Sequence, residues 1–93
     1  MSNQDLLPFA KWSQERIAQN RKFATSRSKR YSDDPRVMWI TVMPLEIVRD
    51  YLWQVEGADS PEEFEKVWRS IHRGHYNGED EVFVHFGDFR GKT

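Results

Sequence analysis

The chain of 93 residues has no cysteine. That excludes a disulfide framework, a thiol nucleophile and a zinc–thiolate site. It suits a reducing compartment, and a cytoplasmic location is expected. No apolar run approaches the roughly 20 residues that a membrane span needs, so no membrane partner is expected. Met1 to Asp5 is polar, and no basic region leads into an apolar one, so no signal peptide is read there. Repeats and low-complexity segments are also missing. Neither charge sign dominates, since the formal net charge is −1.

What is present is unevenly placed. Residues 1–36 hold eight Lys or Arg against four Asp or Glu, and the remainder holds six against eleven. The basic density peaks from Arg21 to Tyr31, where Arg21, Lys22, Arg27, Lys29 and Arg30 alternate with Thr25, Ser26 and Ser28. A cationic, hydroxyl-rich segment in a near-neutral chain is what a phosphate or nucleic-acid contact requires. A solvated loop has the same composition. Lys22, Thr25 and Arg27 have a spacing that lets all three face one cavity.

The length fits one domain with a modest core, taken as residues 1–93 with flexible tails at 1–5 and 90–93. Four Trp and six Phe bury much area per residue, so a small core is feasible. Phe9, Trp12, Arg16 and Ile17 recur at helical spacing and predict a helix over 7–20, starting near Asp5 or Pro8. Residues 23–27 predict a short strand. Ser32-Asp33-Asp34-Pro35 is turn chemistry. Residues 37–43 predict the central strand. Pro44 fits the first turn of a second helix reaching about Val55, with Ile47, Val48, Tyr51, Leu52 and Val55 as its apolar face and Gly57 at its end. Ser60-Pro61-Glu62-Glu63 predicts a capped third helix, with Ser60 as N-cap and Glu63 as the reciprocal acid. Phe64, Val67, Trp68 and Ile71 form its stripe. Asn77-Gly78 marks a turn, and Glu81 to Phe86 alternates as a last strand. Two to four strands and three helices make a small α+β domain.

These residues together carry a resemblance. Ile17-Ala18-Gln19-Asn20-Arg21-Lys22 closes the first helix. Lys22, Thr25 and Arg27 form Lys-x-x-Thr-x-Arg, followed by Ser28-Lys29-Arg30-Tyr31. Then come Val55-Glu56-Gly57, Ser60 to Phe64, Trp68, Ile71-His72 and Val82 to Phe86. In this order the chain resembles the ASCH family, a branch of the PUA-like β-barrel proteins, over roughly residues 6–89. It departs by having Asn20 where the family usually has glycine. It also has Asp33-Asp34-Pro35 where the family has Gly-Asp, and only one strand before Pro44. The resemblance therefore implies a small PUA-like β-barrel, shortened or partly open, with about three helices.

It further implies a cleft that binds RNA, single-stranded nucleic acid, a nucleotide or a nucleoside. Arg21, Lys22, Arg27, Lys29, Arg30 and Tyr31 are the expected contacts. Some small bacterial members are amidohydrolases that deacylate acetylated cytidine, and at least one member is reported as a ribonuclease. Their lysine base, threonine nucleophile and glutamate map onto Lys22, Thr25 and Glu56. The chemistry is coherent: a Thr hydroxyl needs a base, and a lysine serves only if burial or cationic neighbours depress its pKa. Lys22 as a phosphate contact and Thr25 as a strand residue explain the same letters. Glu56, at a helix end that disfavours a carboxylate, calls for a cation such as Lys22 or Arg27. Glu62, Glu63 and Glu65 are assigned to capping and solvation.

No cofactor or metal is expected. His72, His75 and His85 lack zinc-motif spacing. Trp12, Trp39, Trp53 and Trp68 are expected mostly in the core, and Tyr31 and Tyr76 as exposed stacking rings. An enclosed pocket joining Lys22, Thr25 and Glu56 would favour an enzyme. Arg21, Arg27, Lys29 and Arg30 along an open groove would favour a nucleic-acid binder. A large exposed apolar patch would favour a protein-interaction module.

Overall fold

The structure is a computed structural model that describes residues 6–90. It is an α+β arrangement of α1 (Lys11–Ala18), β1 (Ala24–Arg27), β2 (Val37–Pro44), α2 (Leu45–Tyr51), α3 (Pro61–Ile71) and β3 (Glu81–Gly87). Of the expected tails 1–5 and 90–93, all but Arg90 lie outside the described residues. Arg90 is held to the Asp88 carboxylate by its backbone and its guanidinium.

The sheet has three antiparallel strands in the order β1-β3-β2 and is not closed. The strand at 37–43 is therefore an edge rather than the expected centre, and β3 takes the centre. Both edges reach β3 through long excursions, because the helices intervene. Trp39 follows from this position. It stands 61% exposed, stacked on Phe86 at 5.0 Å, and is not a core residue. Trp53, Trp12 and Trp68 pack partly buried against the main core.

That core lies between the sheet and the helices. Ala24, Val82 and Val84 meet Leu45, Val48, Ala58 and Phe64. Each fully buried Leu or Val contributes about 1.5–3 kcal/mol relative to exposure. Leu7, Ile17 and Phe89 form a second, smaller cluster. Among the described residues no helix is long and apolar enough to cross a membrane.

Three boundaries differ from expectation, each because backbone groups are committed elsewhere. The first helix starts at Lys11, not near Pro8. The Leu7 N–H donates to Asp34 Oδ2 at 2.9 Å, and the Leu7 carbonyl accepts from Arg36. Residues 6–10 are thereby held against the 31–36 turn and cannot wind. Pro44 caps α2 rather than starting it. The first two N–H groups of α2 donate to the carbonyls of Asp80 and Gly78.

The second helix also stops early, at Tyr51. The Val55 carbonyl accepts from both Phe23 and Ala24 N–H, at 2.7 and 3.0 Å. A continued helix would have turned that carbonyl along its own axis. Only Val48 of the expected apolar face is fully buried, and Tyr51 is exposed. The third helix forms as expected. Ser60 Oγ accepts from Glu63 N–H at 3.0 Å. The Glu63 carboxylate reaches one residue further, to Asp59 N–H at 2.6 Å.

Candidate functional site

The site begins with the two ends of the basic segment. Asn20 ends α1 in the left-handed region, with φ 63°. Gly or Asn tolerates that geometry best, and it turns the chain so that Lys22 points inward. Opposite, Gly57 has φ +99°, and a Cβ there would meet Lys22 Cβ at 3.2 Å and Arg16 Cβ at 3.1 Å. The bare backbone lets the 55–57 turn lie directly on Lys22. The two Val55 hydrogen bonds to the start of β1 then fix Glu56 against Lys22 and Ser26.

A cavity of about 340 Å³ opens between β1, α1 and α3. Its polar end holds Lys22, Thr25, Ser26, Arg27 and Glu56. Its apolar walls come from Phe9, Trp12, Phe64, Val67, Trp68 and Ile71, with His72 beside them. The entire stripe of α3 therefore faces this space, and Ile71 remains 51% exposed.

The polar end divides into two networks. In the first, Lys22 Nζ donates to Glu56 Oε1 at 3.1 Å and to the Glu56 carbonyl at 2.9 Å. Ser26 Oγ donates to Glu56 Oε2 at 2.7 Å. Lys22, Ser26 and Glu56 are all buried. Burial pushes the Lys22 ammonium below its ordinary pKa, and Arg27 adds to the effect, while Glu56 opposes it. In the second network, Arg27 donates from Nε and Nη2 to Thr25 Oγ1, at 3.3 and 3.0 Å. Its Nη1 holds the Pro8 carbonyl at 2.8 Å, and its plane lies over Phe9 at 5.2 Å. Burial lowers the Arg27 pKa, and Glu56 works against this.

Lys22, Thr25 and Arg27 thus line one cavity, as their spacing suggested, and Glu56 lines it with them. Lys22 and Thr25 share no hydrogen bond. Lys22 is engaged by Glu56 and the Thr25 hydroxyl by Arg27, and within β1 alternate side chains leave on opposite sides. Ser26 shares Lys22's side, and Arg27 shares that of Thr25. Arg21 is not in the cavity. It pairs with Asp59, beside the Arg16–Glu63 bridge at 3.2 Å. Lys29 and Arg30 are exposed on the turn after β1, Lys29 over the Tyr31 ring at 5.3 Å.

Neither tyrosine is an exposed ring. Tyr31 is half-buried, edge-on to His85 at 5.8 Å. Tyr76 is half-buried between the Arg49 and Arg69 guanidinium groups. His85 supports the site from behind. It is fully buried, and its Nε2 accepts from Tyr31 N–H at 2.9 Å. Its Nδ1 lies 3.2 Å from the Thr25 carbonyl, so Nδ1 carries the proton and the ring is neutral. Burial lowers its pKa, consistent with that tautomer.

Sequence reasoning missed Ser26, the Pro8 carbonyl and the cavity walls. Period-two alternation from Lys22 would have found Ser26. The walls carry no signal distinct from a core stripe. Comparisons with protein-family profiles, curated proteins and solved structures find no match to this chain.

Proposed function

We propose that the cavity binds a nucleoside, or a single unpaired nucleotide of an RNA strand, base first. The observation that carries this reading is a partly open cavity of ring-ligand size, with aromatic walls and a hydrogen-bonding, charged end. Pockets of about 300–1,000 Å³ with few convergent polar groups suit small ligands. Aromatic walls stack bases at about 1–3 kcal/mol each. For an RNA strand, the exposed Lys29 and Arg30 turn would meet the backbone. Membership of the ASCH family and kinship with PUA-like barrels belong to the same proposal. The left-handed Asn20 supports it, because a position usually glycine in that family is one where this backbone favours glycine.

Titration of the labelled protein with the four nucleosides, N4-acetylcytidine and short single-stranded RNAs tests the reading by NMR. Val67→Trp fills the cavity and should abolish nucleoside binding. Lys29→Ala with Arg30→Ala should weaken RNA alone and flatten its salt dependence, at about 0.7 per lost phosphate contact in the log–log slope. Nucleoside shifts that persist in Val67→Trp would remove the cavity from the account.

A second reading is favoured by one observation, the Ser26–Glu56–Lys22 chain in the cavity. A hydroxyl, a carboxylate and a lysine in contact are the parts of an acyl-transfer site. In this reading the cavity hydrolyses an acylated nucleoside, with Lys22, Thr25 and Glu56 as the candidates the resemblance supplies. Hydrolysis of N4-acetylcytidine, followed by chromatography, tests it.

A further inference from the structure

We propose that Ser26, not Thr25, is the nucleophile of the cavity, with Glu56 as its base and Lys22 as the group that orients the base. The proposal rests on the hydrolase reading. The Lys-x-x-Thr-x-Arg element leaves position 26 unspecified, so the resemblance does not supply Ser26.

A nucleophilic hydroxyl is recognised by a hydrogen bond to its base, and the base by a third group that holds it. Ser26 Oγ donates to Glu56 Oε2 at 2.7 Å. Lys22 holds the other carboxylate oxygen at 3.1 Å and the Glu56 carbonyl at 2.9 Å. All three residues line the cavity. Thr25 lacks both parts. Its Oγ1 accepts two N–H bonds from Arg27, which draw electron density from the oxygen. Its carbonyl is taken by His85, and among the described residues no base is bonded to its hydroxyl. Ser26 is also a primary alcohol, less hindered than the branched Thr25.

The step balances with water as the only co-reactant. Ser26 Oγ bonds to the acyl carbon of an N-acylated ring amine as its proton passes to Glu56. The carbonyl oxygen becomes an oxyanion near the Lys22 ammonium and the Arg27 guanidinium. The C–N bond breaks, and the leaving amine takes the proton from Glu56. Water then gives a proton to Glu56 and attacks the acyl-serine. The C–O bond breaks, Ser26 recovers the proton, and the carboxylic acid leaves.

The test uses two acyl donors, N4-acetylcytidine and the activated ester 4-nitrophenyl acetate. Wild type, Ser26→Ala, Ser26→Cys and Thr25→Ala are compared, with thermal melting and nucleoside binding recorded for each. Trapped protein is mapped by tandem mass spectrometry for an acetylated side chain. Expected are an acetyl group on Ser26, at least a hundredfold loss of rate in Ser26→Ala, less than about tenfold loss in Thr25→Ala, and a retained ester burst in Ser26→Cys. Acetyl on Thr25, or unchanged turnover in a folded Ser26→Ala, overturns the assignment and leaves the hydrolase reading standing. No adduct and no turnover by a wild type that still binds nucleosides overturns both.

Discussion

Replacing Glu56 with Gln removes one charge from the centre of the site and changes little else. The amide still accepts from Ser26, and the side chain keeps its shape. Lys22 loses its counter-ion at a position 3% exposed. Breaking a buried pair in this way costs about 3–5 kcal/mol. An upper bound comes from letting Lys22 shed its proton. Deprotonating a lysine of ordinary pKa 10.5 at pH 7 costs about 5 kcal/mol. The two figures agree, so the variant should lose 3–5 kcal/mol, a large part of a small domain's stability.

The pH dependence identifies the cause. In the variant Lys22 is neutral when folded and charged when unfolded, so its folded pKa lies below its unfolded one. The unfolded chain then binds the extra proton, and stability rises with pH toward 10.5. The deficit should shrink by about 1.4 kcal/mol per pH unit. Urea unfolding followed by tryptophan fluorescence at pH 7 and pH 9 measures it. The double variant Lys22→Met, Glu56→Gln should recover most of the loss, because no charge remains buried. A deficit under about 1 kcal/mol, or one independent of pH, would refute a buried Lys22–Glu56 pair.

Three further outcomes follow from other sites. His85 is neutral in the fold with a lowered pKa, so its contribution is present above about pH 6.5 and is lost as pH falls through the depressed folded value; urea midpoints between pH 7.5 and 5.5 should decline, and His85→Gln should flatten that decline. Asp34 is brought down from 3.8 to about 2, chiefly by the Arg36 hydrogen bond. Asp34→Asn should cost about 2 kcal/mol at pH 7, with the difference vanishing as acid titration passes 3.8 toward 2. Asn20→Gly should melt at or above the wild-type temperature, and Asn20→Ala should lose about 1 kcal/mol, since only the glycine adopts φ 63° freely.

Local chemistry was legible where one residue decides the outcome. Ser60 and Pro61 start α3, and the last strand forms where expected, although as the central strand it buries the adjacent Val84 and His85 on opposite faces. For Glu56 the sequence left Lys22 and Arg27 open as partners; the structure pairs it with Lys22, although Glu56 lies in a turn beyond α2 and not at a helix end. What was hidden depends on distant backbone groups. The 37–43 segment is apolar enough for a central strand, yet β3, over forty residues later, takes the centre. The second helix reads to Val55, but the Val55 carbonyl is claimed by Phe23 and Ala24. The left-handed turn at Asn20 and the Gly57 turn place Lys22 and Glu56 together, and neither turn is visible as half of a site.

The α3 stripe shows why core and site are confused in such a sequence. Phe64, Val67, Trp68 and Ile71 are spaced as a core face, and Phe64 is buried in the main core. Phe64 and Trp68 touch both the main core and the cavity, Val67 and Ile71 line the cavity, and Ile71 ends half in solvent. A helix whose apolar face is only partly covered leaves apolar area that a ring-sized ligand can remove from water. The same stripe therefore holds the fold at one end of the helix and leaves an apolar cavity wall at the other. Ligand binding would then add stability by mass action, since only the folded chain has the wall. If the proposed binding holds, the passage from packing to recognition takes place within two turns of one helix.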